Sequence, residues 1–349
     1  MINELFVLIL LVLFGAMLVW GFRVLPRNGW QMLATLPIRP LGNGQWQGIN
    51  LTWYGLLTAN AYLVALTLLI ILLGAARVPL AGVLLVAVLL LSLCVPASRL
   101  VARLVEGKAH TFTVGGAVFV GILAAPWLVL LAGRLSGAQL PVLPVLAAIG
   151  IAYAFGEGLG RLACISFGCC YGKPVAQCSS RVRKYFRRWH FAFHGETRKI
   201  CYASGLEGEP VVPVQALTAL LYVLTGLLGS ELFLRGFMAT AFILTLLVTQ
   251  LWRVFSEFLR ADYRGTARFS AYQWMGLAAL PYALACGLYF HTAPAAAPAL
   301  PQLLLGLADL WQPGTLLFLQ GIWLMLFIYT GRSSVTGASL SFHIHRDRI

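Results

Sequence analysis

The sequence predicts an all-α fold, a polytopic membrane helix bundle with about nine transmembrane helices. Three observations carry this. Of the 349 residues, 60% are hydrophobic and only 10% are charged. Mean hydropathy is +0.85. Apolar runs recur along the chain at close to the ~20 residues needed to cross ~30 Å of hydrocarbon. A soluble domain normally carries roughly a quarter of its residues as charges, so that class is excluded.

In chain order the runs lie at 2–22, 51–75, 78–96, 112–133, 141–164, 212–232, 236–259, 271–290 and 313–330. The first lacks a basic leader and is followed by Gly21-Phe22-Arg23 without a small-x-small cleavage site, so it reads as a retained helix. TVGGAVFVG places Gly115, Gly116 and Gly121 at the start of the fourth run. GEGLGRLACISFG places Gly156, Gly158, Gly160 and Gly168 near the end of the fifth. Such glycines suit close helix packing, and a helix N-terminus at 113–116 could also present backbone N–H groups to an anion. The one long polar insertion, 165–211, contains RVRKYFRRWHFAFHGETRK. It reads as a head domain or lateral gate, or as a solvated basic loop resting on anionic lipid. Residues 291–312, with APAAAP, form a connector before the last helix. There is no internal repeat, which argues against an inverted-repeat transporter.

Net charge is +14. Nine crossings put loops 23–50, 98–111, 165–211 and 260–270 and the C-terminal tail on one face. The opposite face keeps only Arg77, Arg134 and Arg235, leaving 22 of the 25 lysines and arginines on or near the first. The positive-inside rule makes this basic face cytoplasmic, and it would also gather anionic headgroups. Nucleic acid is not an expected partner of a multi-pass protein.

Polar residues recur where helices meet that face: Tyr54, Arg99, Arg161, Gln215, Arg253, Glu257, Arg260 and Gln273. An arginine such as Arg161, a turn inside the boundary, costs roughly 2.5–3.5 kcal/mol to insert, so a functional partner is the default expectation, and a phosphate is the natural one. In WRVFSEFLRADYRG, Arg253, Glu257 and Arg260 are spaced to share a helical face as an Arg–Glu–Arg ladder. The ladder either holds a phosphate or merely neutralises Glu257.

Cys164, Cys169, Cys170, Cys178 and Cys201 lie in or beside the polar insertion, with His190 and His194 four residues apart among them. Two histidines and two cysteines could make a tetrahedral zinc site, but the spacing matches no standard module, so no metal and no cofactor is expected. In an oxidising compartment the loop cysteines would pair; in the cytoplasm they would stay thiols. Cys169 or Cys170 is also a candidate nucleophile.

Taken together, TWYGLL at 52–57, PASRL at 96–100, VGGAVFVG at 114–121, GRLACISFGCCYGKP at 160–174, VPVQAL at 212–217, WRVFSEFLRADY at 252–263 and SAYQWM at 270–275 resemble, in order and spacing, the prolipoprotein diacylglyceryl transferase family. The resemblance implies a seven-helix core over about 46–290. Residues 1–45 would then be an added N-terminal helix and loop, and 291–349 a linker, an extra helix and a basic tail. It implies a transferase of the bacterial inner membrane that moves a diacylglyceryl group from phosphatidylglycerol to a prolipoprotein cysteine, releasing glycerol phosphate. Carried over, Arg161 and Arg253 would bind the phosphate, Glu257 and Arg260 would orient them, and Tyr54 would lie near the headgroup. Arg99, Gly115, Gly116, Cys164, Cys169, Cys170, Gln215 and Gln273 complete the expected binding set. The chain departs from the family at Val114, where a histidine is expected, at Cys164 in place of an asparagine, and at Cys169 in place of an acid. His110, four residues before Val114, is a candidate replacement for that histidine. The family's site faces outward, opposite to the charge rule. A different acceptor, or a lipid transporter that keeps only the headgroup site, are the competing readings.

Overall fold

The computed structural model describes residues 2–107, 113–263, 269–292 and 300–349, without the side chain of residue 106. It is a helical bundle, and eight of its helices are long and apolar enough to cross a membrane. The elements run α1 (Ile2–Val24), β1 (Met32–Gly42), β2 (Gln45–Thr52), α2 (Trp53–Ala75), α3 (Leu80–Glu106), α4 (Val114–Ser136) and α5 (Val142–Phe167). Short helices α6 (Ser180–Phe186) and α7 (Lys199–Ser204) follow, then α8 (Val214–Leu234), α9 (Met238–Ser256), α10 (Ala271–Thr292), α11 (Leu303–Leu310), α12 (Pro313–Gly331) and β3 (Arg332–Ser341). The run at 271–290 does form a helix, α10, whose 22 residues span about 33 Å. Its Gln273, tyrosines and His291 leave it less apolar than the other eight. Helix α3 continues past the apolar end at 96 and carries Arg99 and Arg103, so the expected loop at 98–111 is helical up to residue 106. Apolarity marks where a span meets the interface, not where its backbone ladder stops.

Helix α5 is the axis of the bundle. Of its apolar window 72% is buried, against 22% for α1, α3 and α12. It packs against α2, α8 and α9, while α3 pairs with α4, and α12 and α11 lean on α2. A helix hydrophobic all round belongs in the middle. Close approach is bought by small residues: a Cβ on Gly55 would run into the backbone of Gly331, which lets α2 and α12 touch at the polar face.

Residues 23–50 and the tail are not simple loops, as the sequence pattern implied. They form an antiparallel sheet in the order β1–β2–β3, with Gln45 opposite Ser341 and Ile49 opposite Gly337. Gly42, Asn43 and Gly44 turn the hairpin with φ of 95°, 50° and 73°. Buried Asn50 ties all three strands, accepting from Thr35 Oγ1 at 2.7 Å and donating to Thr336 Oγ1 at 3.0 Å. The two terminal additions therefore meet in one structure on the site's side of the bundle.

The insertion 168–213 packs as a cap. Arg198 is fully buried, and its guanidinium donates to the carbonyls of Ile165 (3.1 Å), Ser166 (3.2 Å), Leu25 (2.9 Å) and Asn28. It thus satisfies orphan carbonyls at the end of α5 and just beyond α1. Five further cations of the insertion, Arg181, Arg183, Lys184, Arg187 and Arg188, line up on and after α6 beside Tyr185, Phe186 and Trp189, and Tyr185 is 79% exposed. That mixture suits a lipid headgroup surface.

Candidate functional site

Tyr153, Glu157 and Arg161 follow one another at four-residue spacing on α5, so they form a single polar stripe on an otherwise apolar helix. Glu157 accepts from two guanidiniums at once. Arg161 Nη2 meets its Oε1, and Arg253 Nη2 of α9 meets its Oε2 at 2.6 Å. Arg253 Nη2 also donates to the Tyr153 hydroxyl at 3.0 Å. All three charged residues are less than 10% exposed. Two cations and one anion leave a buried net charge of +1. The Nε–H groups of both arginines are buried without a hydrogen-bond partner. A buried guanidinium with unspent donors is costly unless an anion completes it.

Arg161 and Glu157 stand in the wall of a cavity of about 340 Å³ enclosed by α2, α3, α4, α5, α9, α10 and α12. Near Arg161 the wall carries Tyr54, Ser98, Cys164 and Tyr329, and deeper it is aliphatic, with Leu66, Leu69, Leu90 and Leu146. The cavity joins a charged end to an apolar shaft. Tyr54 follows the Thr52 N-cap of α2 and packs edge-on against Phe167, ring centroids 5.7 Å apart.

The Arg253–Glu257–Arg260 ladder forms only in its second half, the Glu257–Arg260 pair. Helix α9 gives way at Glu257–Leu259 to a tighter 3-10 turn, and Arg260 turns extended and bridges to Gly172. Arg260 holds Asp262 through two bonds of 2.7 and 2.8 Å and faces Glu257 at 3.6 Å. Glu257 accepts from Ser270 Oγ at 3.3 Å. The residue that joins two arginines is Glu157, which the sequence reading passed over. Its signal was a carboxylate deep in the run 141–164, one turn before Arg161.

Other expected site residues divide between the cavity and its frame. Gly115 makes room rather than contact: a Cβ there would stand 2.6 Å from Tyr272 and 3.0 Å from Arg253 Nη1, and one on Gly116 would strike Val101 of α3. Gln273 caps α10, its Oε1 accepting from Ser270 N–H at 2.9 Å and its Nε2 donating to Val254. Gln215 Nε2 donates to the Cys169 carbonyl at 2.9 Å. Arg99 is exposed and lies over the Tyr329 ring, 4.7 Å from its centroid, at the cavity's edge. Val114 lines the cavity. His110 lies outside the described residues.

Cys164 lines the cavity one turn beyond Arg161, and its Sγ lies within 4.8 Å of those of Cys169 and Cys170. His190 and His194 take no part in this cluster. His190 Nδ1 faces the Phe186 and Arg187 carbonyls, and His194 sits against Gly208. The zinc arrangement drawn from those histidines is therefore not assembled, because His190 turns to the carbonyls of 186 and 187 and His194 to Gly208, while Phe191 and Phe193 between them pack into the core. All seven cysteines are thiols.

The sequence profile of the prolipoprotein diacylglyceryl transferase family matches residues 45–289. A search of curated proteins finds no match.

Proposed function

The chain belongs to the prolipoprotein diacylglyceryl transferase family, and from that premise we propose that it transfers a diacylglyceryl group from phosphatidylglycerol to a cysteine thiol, releasing glycerol phosphate, in the bacterial inner membrane. The observation that carries this reading is the Arg161–Glu157–Arg253 triad, a buried net positive charge with unspent donors at the polar end of an apolar cavity. The hard step is cleavage of a carbon–oxygen bond whose electrons leave on phosphate. Preorganised guanidinium groups stabilise that developing charge in a site that excludes water.

Within this reading Arg161, which lines the cavity, touches the phosphate. Arg253 does not line it; it positions Arg161 through Glu157 and Tyr153 directly, and adds the second positive charge. The test uses vesicles of labelled phosphatidylglycerol and a lipobox peptide, following glycerol phosphate release and peptide lipidation by mass spectrometry. Arg161→Ala and Arg161→Lys should both lose about 10²–10³-fold in transfer, as removal of one preorganised donor does. Arg253→Lys should keep a measurable fraction, with the loss mainly in kcat. Undiminished transfer in both Arg161→Ala and Arg161→Lys refutes the reading.

The charge bias favours a second acceptor class. If the basic face is cytoplasmic, the acceptor is a thiol other than that of an exported lipoprotein. Reaction of Cys178 with a membrane-impermeant maleimide in intact cells would exclude this; protection until the membrane is opened would support it.

A further inference from the structure

The three inward thiols are a site in their own right. Their Sγ atoms all lie within 4.8 Å of one another. Three thiolates on one tetrahedral zinc ion stand about 3.8 Å apart, given Zn–S bonds of about 2.3 Å, so small side-chain rotations close the cluster. The backbone is shaped to hold them there. Gly168 ends α5 in the left-handed region, and the Cys169 N–H returns to the Cys164 carbonyl at 3.0 Å. Cys170 has φ +57°, a conformation uncommon for a residue with a side chain and found most often at functional positions. Gln215 pins the Cys169 carbonyl, and Lys173 N–H and the Tyr171 carbonyl are bound by Leu259 and Ala261 at 2.9 and 3.1 Å. The loop is thus fixed between α8 and the segment that follows α9.

The family resemblance implies polar residues at the positions of Cys164 and Cys169 and a histidine at that of Val114. A chain that lost those groups still has to ionise a thiol, whose ordinary pKa is about 8.5. We propose that Cys164, Cys169 and Cys170 bind one zinc ion whose fourth position takes the acceptor thiol as a thiolate. Cys164 opens that position to the cavity that Arg161 also lines. Three protein ligands and one open position are the arrangement of catalytic zinc, and coordination deprotonates a thiol outright.

The inference rests on the transferase reading above. On coordination the acceptor thiol releases its proton to water at the polar face. The bound sulfur then attacks the glycerol carbon, forming a carbon–sulfur bond. The carbon–oxygen bond to phosphate breaks, and its electron pair leaves on the phosphate oxygen beside Arg161. The product thioether, a weaker ligand than a thiolate, leaves the metal. No oxidant or reductant is consumed.

The test loads the reduced, chelator-treated full-length protein in nanodiscs with Co²⁺. One equivalent per chain, with a near-ultraviolet thiolate charge-transfer band that is displaced by Zn²⁺, is expected. Cys170→Gly is the safest ligand variant, because glycine keeps the left-handed backbone; it should weaken Co²⁺ binding by on the order of 10²-fold or more, as Cys164→Ser should. Chelation should lower transfer at least about tenfold, with Zn²⁺ restoring it, while binding of dialkyl phosphatidylglycerol is unchanged. Absence of the band, retention of the band in both variants, a disulfide that excludes metal, or transfer indifferent to chelation would each overturn the proposal. Failure of the donor to bind in any metal state would instead sink the transferase reading, and the Co²⁺ titration would still judge the thiol site.

Discussion

Replacing Glu157 by glutamine isolates the residue on which the site turns. The change keeps shape and one acceptor oxygen but removes the single negative charge shared by Arg161 and Arg253. Each ion pair has charge centres about 4 Å apart, worth about 4 kcal/mol at an effective dielectric near 20. The two together lose about 8 kcal/mol, offset by the several kcal/mol no longer needed to dehydrate the carboxylate, which leaves about 3–5 kcal/mol of net destabilisation. The Glu257→Gln variant is the control. Its partner Arg260 keeps two bonds to Asp262, so only about 1 kcal/mol should be lost. Reversible unfolding in bicelles, read by tryptophan fluorescence, measures both. Inorganic phosphate should protect Glu157→Gln by about 2.7 kcal/mol at a hundred times its dissociation constant, and the parent by less at the same concentration, because an anion replaces the missing charge. A Glu157→Gln variant within 1 kcal/mol of the parent, or no worse than Glu257→Gln, refutes the assignment of Glu157 as the bridging anion.

Two further outcomes follow from the frame of the site. Arg198→Ala removes the donor to four carbonyls at the ends of α1 and α5 and should cost about 3 kcal/mol or more in the same unfolding assay, while Arg187→Ala, on the exposed cap, should fall within 0.5 kcal/mol. Gly115→Ala pushes a methyl group toward Tyr272 and the Arg253 guanidinium. Because the site tolerates little displacement, it should lower transfer about 10²-fold with a much smaller effect on stability, measured by comparing initial rates with unfolding midpoints.

What the sequence made legible was whatever depends on local composition. The spans follow from apolarity, and Arg161 stood out because an arginine in hydrocarbon needs a reason. Pairing across helices was not legible. Glu157 and Arg253 are 96 residues apart, and the nearer Glu257 offered a local partner at helical spacing. That spacing presumed α9 stayed α-helical past Ser256; the 3-10 turn that ends it keeps Glu257 with Arg260, while Arg253 pairs with Glu157. The sheet was hidden for a related reason. Strand β3 pairs with β2 across nearly the whole chain, and prolines at 37 and 40 break the alternation that would have marked β1 as a strand. The three thiols were visible as residues, but their convergence depends on the left-handed turns at Gly168 and Cys170, which no spacing rule reports.

The conflict over orientation becomes sharper with the structure. Buried arginines could have inflated the charge count, since a guanidinium committed to an internal partner says little about topology. Four qualify among the 22 on the basic face: Arg161, Arg198, Arg253 and Arg260. Subtracting them leaves 18 against the three of the other face, so the bias survives, and most of these lie in loops short enough for the positive-inside rule to count. A reducing compartment on that side would also keep the Cys164, Cys169 and Cys170 cluster as thiols able to bind metal, whereas an oxidising one would favour disulfides among them. A cytoplasmic placement of that side would thus meet both the charge bias and the proposed thiol chemistry.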